Sequence, residues 1–549
     1  MYHGGIFQMQ HRVLRQILYF LIVFFPIALR FLYFGFQYFP QLDDYIQYGN
    51  YPTSIDYLLL IQEAGLLASR PLAGISDIFL WGRFWDHMIL ALLLICVLWT
   101  LTALIFRKVF QRWFGCGMIF LIVFALMPLG FEGTYWISAS SRIVVGLFFT
   151  ALALYLLEWW METGRWYWLV LWLPCLLLSF CYYEQILVLS LTLSLLSVLL
   201  HFRSKGAFMG LLSLPMVGLY FWFTSHFSTG LLASRVKVIW PNNPYYFHEF
   251  LPQVWGQVRA VFFEAGIAIT GKGFLRGIVQ IFQDGAWFYL LCVALASALY
   301  YFLTRCHRQS KGKLVQQRST LIGLIFGIVL VVAPVSLFFI IENPWVSLRA
   351  AVTSFVGFAL LADILCRVLL RHHRIFQGIL AAVLVFVFTV ASVSELHDYK
   401  MTCEKDQAIV GVINASMNWG CQTAGVLNLN STYLEEQNYR YHEHVCGITE
   451  NSWALSGAVV ALASDDNHPQ TVIPYEIKDG KCYESWEAET KSPDQLNTLW
   501  WYDENENRVI PLSLQGSASE GWKATSEDGA IHCMIRPDEE GNGIIEMLP

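Results

Sequence analysis

Asp43 and Asp44 stand side by side just past the far end of the first long apolar run, Leu14 to Phe39. An acidic pair at the mouth of a membrane helix has two chemical uses. It can take a proton from a hydroxyl, or it can hold a cation through oxygen ligands. Further ionisable residues recur in separate polar connections: Arg70, then Glu132 and Arg142, then Glu184, then Arg349. A charge at the membrane boundary is cheaper than one at mid-bilayer, which costs at least ~2.5–3.5 kcal/mol. One boundary charge is therefore weak evidence. Acids and arginines from several connections that could ring one cavity are stronger.

The chemistry this set suggests is sugar transfer from a lipid-linked phosphate. A carboxylate deprotonates the acceptor hydroxyl as it attacks the anomeric carbon, and inversion follows when the phosphate leaves from the opposite face. Asp44, Asp43 and Glu132 are the candidate catalytic acids. A second acid orients the acceptor, or Asp43 and Asp44 together hold a divalent cation, Mg or Mn. Arg349, Arg70 and Arg142 suit the phosphate, because the guanidinium fork matches its oxygens and stays charged. Glu184 joins them as a substrate-binding candidate. Tyr135, Trp136 and Trp345 would stack on a sugar face or line a polyprenyl groove. Each also has an ordinary alternative: helix caps for the acids, interfacial anchors for the arginines and aromatics.

The elements that must position these residues are membrane helices. Hydrophobic residues make up 56% of the 549, charged residues 14%, and mean hydropathy is +0.49. A spanning helix needs about 20 mostly apolar residues. Eleven stretches qualify: 15–36, 87–106, 116–130, 143–161, 166–182, 186–202, 207–227, 286–304, 319–341, 350–369 and 376–393, of which 116–130 and 186–202 are short. The stretch 47–85 reads as a polar, irregular loop in which residues 55–67 form an interfacial helix. Residues 131–142 and 228–285 read as further loops, with Phe250 to Ile269 at near-helical spacing along the membrane surface.

Charge divides the chain. Residues 1–393 carry 26 Lys and Arg against 15 Asp and Glu, net +11, whereas residues 394–549 carry 9 against 26, net −17. No run after Ser394 is long and apolar enough to span, so 394–549 reads as a water-soluble domain, α/β or α+β, opening on a helix from Leu396 to Met417. So acidic a domain is a poor fit to nucleic acid or to anionic lipid. Basic clusters such as Arg107/Lys108/Arg112 and Arg367/Arg371/Arg374 fall in alternate connections. The positive-inside rule puts them in the cytoplasm, with the N-terminus. Asp43/Asp44, the 131–142 loop, the 342–349 turn and the C-terminal domain then face outward. Five cysteines in that domain (Cys403, Cys421, Cys446, Cys482, Cys533) allow one or two disulfides, and no spacing reads as a zinc site.

Leu42-Asp43-Asp44-Tyr45 after the first span, Ser69-Arg70-Pro71-Leu72 about 25 residues on, Tyr135-Trp136, and Arg349 ending a late turn together carry a resemblance. The membrane part resembles the GT-C superfamily of membrane glycosyltransferases, and within it the bacterial O-antigen glucosyltransferase type. The resemblance implies a polyprenyl-phosphate-linked sugar donor, an extracytoplasmic active site in a bacterial cytoplasmic membrane, inverting transfer to a cell-surface glycan or polymer, and a catalytic Asp in the first outer loop. That role passes to Asp44, with Asp43 next, and the phosphate role to Arg349. The family's first-loop arginine often follows Gly; here Arg70 follows Ser69.

Two other readings compete. A polysaccharide polymerase or ligase would lean on arginines of the long loop, Arg235, Arg259 and Arg276. A lipid-linked sugar transporter or flippase would need broken helices, internal repeats and charges at mid-depth; Arg30, inside the first span, is the residue that view would single out.

Overall fold

The computed structural model describes residues 3–50, 58, 61, 66–203, 206–227, 237–306, 319–371, 373–416, 423–429, 447–450, 452–463, 471–478, 481–484, 496, 498–517, 520–537 and 543–547. The chain divides into two compact units. One comprises Met1–Tyr38, Asp56–Leu396 and Asn438–Tyr441; the other comprises Phe39–Ile55, His397–Gln437 and His442–Pro549. The charge break near Ser394 lies close to the passage at Leu396. The segment with Asp43 and Asp44, however, goes with the second unit, a partition that composition does not reveal.

The first unit is helical. Its elements are α1 (His3–Leu29), α2 (Pro71–Phe79), α3 (Met88–Phe114), α4 (Met118–Leu126), α5 (Phe131–Tyr135), α6 (Ile137–Thr163), α7 (Trp166–Phe180), α8 (Glu184–Leu200) and α9 (Ser213–Ser225), followed by α10 (Leu251–Arg259), α11 (Gly273–Gln283), α12 (Trp287–Cys306), α13 (Ser319–Val335), α14 (Leu348–Ala351), α15 (Phe355–Leu369) and the part of α16 (Arg374–Ser416) up to Leu396; from His397 on, α16 belongs to the second unit. All eleven apolar stretches are helices. Among the described residues eight helices are long and apolar enough to cross a membrane, while Trp166–Phe180 and Glu184–Leu200 are shorter apolar helices. On α12 the exposed residues Phe288, Leu291, Leu295, Leu299 and Phe302 recur every three or four positions. That spacing makes one apolar stripe, which suits lipid and not water.

Polar side chains fix the helix ends. Asp363 Oδ1 accepts the backbone N–H of Gly117 at 2.9 Å and of Phe120 at 3.2 Å, satisfying donors at the start of α4. Arg367 Nε pairs with Asp363 at 2.8 Å, and its Nη1 donates to the Phe114 carbonyl at 2.7 Å. One carboxylate–arginine pair thus closes the α3–α4 turn. Arg30 is buried with its guanidinium 4.8 Å from the Phe31 ring centroid.

Several expectations about loops change here. The stretch 47–85 contains α2 and a 3₁₀ turn, Trp81–His87; most of 55–67 lies outside the described residues. The 131–142 loop is α5 and the first turns of α6, both buried. Small residues and the pairing of Glu132 with Arg349 let this polar stretch pack inside as helix. Residues 246–283 are helical throughout, with π-type turns. The helix expected from Leu396 is the end of the 43-residue α16. No Pro interrupts 374–416, so the helix runs on although its sequence turns polar.

The second unit holds a closed eight-stranded barrel. Its strands are β1 (Thr423–Leu427), β2 (Thr471–Lys478), β3 (Lys481–Glu484), β4 (Thr498–Asp503), β5 (Arg508–Ser517), β6 (Gly521–Ser526), β7 (His532–Pro537) and β8 (Gly543–Met547), in the order β1-β2-β3-β8-β7-β6-β5-β4. β1 runs parallel to both its neighbours, and the other pairs are antiparallel. Alternate residues fill the interior: Leu427, Ile473, Leu499, Leu512, Ala524, Cys533 and Ile535. A further helix, α17 (Ser452–Ala461), lies on β2, where the Ser456 hydroxyl takes the Val472 N–H at 2.9 Å. Cys403 and Cys533 are free thiols. The side chains of Cys421, Cys446 and Cys482 lie outside the described residues.

Candidate active site

Asp43 and Asp44 open a helical turn that continues as Tyr45–Asn50. Asp44 Oδ2 accepts the Gln41 N–H at 3.0 Å, and the Asp44 N–H donates to the Gln41 carbonyl at 2.7 Å. Asp44 thus reaches back three residues to a backbone N–H, as the acid of a capping box does. Asp44 is fully buried, whereas Asp43 is partly exposed. Leu42, just before the pair, has φ +24°, a left-handed conformation that bulky residues rarely adopt. Gln41 anchors the turn by donating Nε2–H bonds to the carbonyls of Phe39 at 3.1 Å and Tyr399 at 3.0 Å.

In the first unit the other candidates form ion pairs. Arg349 Nε lies 2.8 Å from Glu132 Oε1, and Glu132 is 2% exposed. Arg70 Nε lies 2.8 and 2.9 Å from the two oxygens of Glu184. Arg142 Nη2 lies 2.9 Å from Asp77 Oδ2, and Asp77 is fully buried. Each acid sets the direction of an arginine that would otherwise be mobile.

The short corner between α7 and α8 collects these pairs. The Arg70 guanidinium stacks 4.3 Å from the centroid of the Tyr183 ring. Burial pushes the Tyr183 phenol up; Arg70 and Arg349 pull it back, while Glu184 and Glu132 push it further up. Tyr183 is therefore within electrostatic reach of both pairs. Tyr182, its neighbour, stacks on Phe149 of α6 with centroids 6.1 Å apart. The Leu72 N–H donates to the Cys181 carbonyl at 3.2 Å, tying the Arg70 segment to the corner.

The helix of Arg349 is fixed from three directions. The Val346 N–H donates to Gln257 Oε1 at 3.0 Å, and the Thr353 hydroxyl to Gln185 Oε1 at 3.2 Å. On the third side Gly133 lets α5 approach α14: a Cβ there would stand 2.8 Å from Val352 Cγ2 and 3.1 Å from Arg349 Cα. Gly133→Ala should therefore lower the thermal midpoint in detergent, at a cost of ~1–3 kcal/mol for overpacking. An unchanged midpoint would mean that α14 yields without strain.

The aromatic candidates divide by burial. Tyr135 is fully buried, stacked on Tyr38 with centroids 5.0 Å apart and packed on Phe131 and Phe31. Trp136 is buried beneath Arg349, whose guanidinium lies 5.7 Å from its ring. Both are wall, not stacking faces. Trp345, 43% exposed and 5.8 Å from the same guanidinium, is the ring open to a ligand. Sequence reasoning did not single out Asp77 or Tyr183. Arg70 and Asp77 are seven residues apart, two helical turns, which was the available signal for Asp77. Tyr183 had none beyond its place in the corner.

Among the described residues no three His, Cys, Asp or Glu side chains gather at a point where they could share an ion. Asp43 and Asp44 supply two carboxylates, and Mg is commonly held by one or two carboxylates with water and substrate phosphate completing its six oxygens.

No family model matches the chain, and no curated protein matches it. Among solved structures it is similar to ArnT from Cupriavidus metallidurans bound to undecaprenyl phosphate, at 14% sequence identity and a TM-score of 0.34, over 75% of this chain and 82% of that one.

Proposed function

We propose that this chain is an integral membrane glycosyltransferase that moves a sugar from a polyprenyl-phosphate-linked donor to an extracytoplasmic acceptor, a cell-surface glycan or polymer, with inversion. The observation that supports it most is a pair of oriented arginines in a bundle of membrane helices, Arg70 stacked on Tyr183 and Arg349 beside Trp136 and Trp345, each held by its own carboxylate. Two oriented guanidinium groups suit a phosphodiester and can stabilise the charge that grows on it as the glycosidic bond breaks. The exposed Trp345 offers a face for a sugar or a prenyl chain.

The acid pair supplies the base. Asp43, the more accessible of the two, takes the proton of the acceptor hydroxyl as its oxygen attacks the anomeric carbon. The bond to the phosphate oxygen breaks from the opposite side, and the polyprenyl phosphate leaves as an anion. Asp44, buried on the Gln41 N–H, holds the turn. No step of this scheme needs an ion.

Mass spectrometry of surface glycans from cells with and without the protein tests the reading. A mass increment of one sugar on the envelope glycan, present only with the protein, is expected. An unchanged sugar content with lipid-linked donor shifted between leaflets would point to the flippase reading instead, in which buried Arg30 becomes the residue of interest.

A further inference from the structure

We propose that the C-terminal unit is the mould that sets the acid pair, with Gly457, Ile46 and Tyr45 as its positioning residues. The inference rests on the reading of Asp43 as base. The acid-bearing segment Phe39–Ile55 belongs to the same compact unit as the barrel. Its helical turn, Tyr45–Asn50, packs along α17. The tightest point is Gly457. A Cβ there would overlap Ile46 Cγ1 and stand 3.4 Å from Ile46 Cα, so the turn rests on bare backbone. On another side Tyr45 is fully buried, with its hydroxyl 3.8 Å from Cys403 Sγ of α16. Below it, the Gln41 side chain donates to the Tyr399 carbonyl of the same helix at 3.0 Å.

Three contacts from α16 and α17 therefore hold a turn of a few residues in the strained geometry marked by Leu42, φ +24°. Strain of this kind persists only where the surroundings over-determine it. Those surroundings are supplied by sequence about 350 to 410 residues further on. The C-terminal unit is thus a positioning device for the reaction and not only a surface for the acceptor polymer.

The test compares full-length variants at matched membrane levels. Turnover is the initial rate of sugar addition to the envelope glycan after induction, read by mass spectrometry. Ground-state binding is read with polyprenyl phosphate by tryptophan quenching of the purified protein. Gly457→Ala should lower turnover ~10- to 100-fold through misplacement of the base, with the polyprenyl phosphate Kd within about twofold of wild type. Adding Ile46→Ala, which removes the atoms the new methyl would strike, should restore turnover to within about threefold. A general loss of structure would weaken Kd as well, and the second change would not repair it.

Gly457→Ala at the wild-type rate, with Asp43→Asn inactive, overturns the proposal and leaves the function intact. A slow Gly457→Ala that Ile46→Ala fails to restore also overturns it. Wild-type rates in both Asp43→Asn and Asp44→Asn overturn the functional reading itself, and this proposal with it. Should Gly457→Ala fail to accumulate, Tyr45→Phe carries the test: it removes only the hydroxyl near Cys403, and a wild-type rate there overturns the proposal.

Discussion

Asp43→Asn should slow sugar addition by ~10²- to 10⁴-fold, the contribution of a positioned general base, while the protein inserts normally and keeps its thermal midpoint. The amide has the shape of the carboxylate but cannot accept the proton. Asp44 provides the contrast. Its Oδ2 satisfies the Gln41 N–H, a bond that the carbonyl of Asn can also make. Asp44→Asn should therefore retain the cap, whereas Asp44→Ala should cost ~0.5–2 kcal/mol of stability, as other lost caps do. Normal turnover by Asp43→Asn would remove Asp43 from the chemistry. If Asp44→Asn is the inactive variant, the two acids exchange roles.

Arg349→Ala should weaken binding of polyprenyl phosphate ~10- to 100-fold, the range for loss of one or two charge-assisted hydrogen bonds. It should also destabilise the protein, because Glu132 stays buried without its cation. Double substitution separates the two effects. Glu132→Gln in the Arg349→Ala background removes the stranded charge and should recover most of the stability, but none of the phosphate affinity. Arg349→Lys keeps the charge without the fork and should fall between wild type and Arg349→Ala. Unchanged affinity in Arg349→Ala would discard the phosphate role.

Much of the helical unit was legible. Long apolar runs leave few alternatives to a buried helix, and all eleven emerged as helices, although Trp166–Phe180 and Glu184–Leu200 are short for a span. What sequence left hidden depends on partners distant in the chain. Arg142 and Asp77 each look like an ordinary boundary charge until α2 and α6 bring them to 2.9 Å. The acid pair looked like the property of a membrane loop. Its membership of the C-terminal unit rests on Tyr399, Cys403 and Gly457, contacts that no local pattern announces. Tyr135 and Trp136 show the same dependence. Aromatics at a membrane boundary read as binding surface, and only distant partners, Tyr38 and Phe31 for Tyr135 and Arg349 for Trp136, decide that they are buried.

The barrel offers no long free margin to a stray peptide, since closure pairs every strand on both sides.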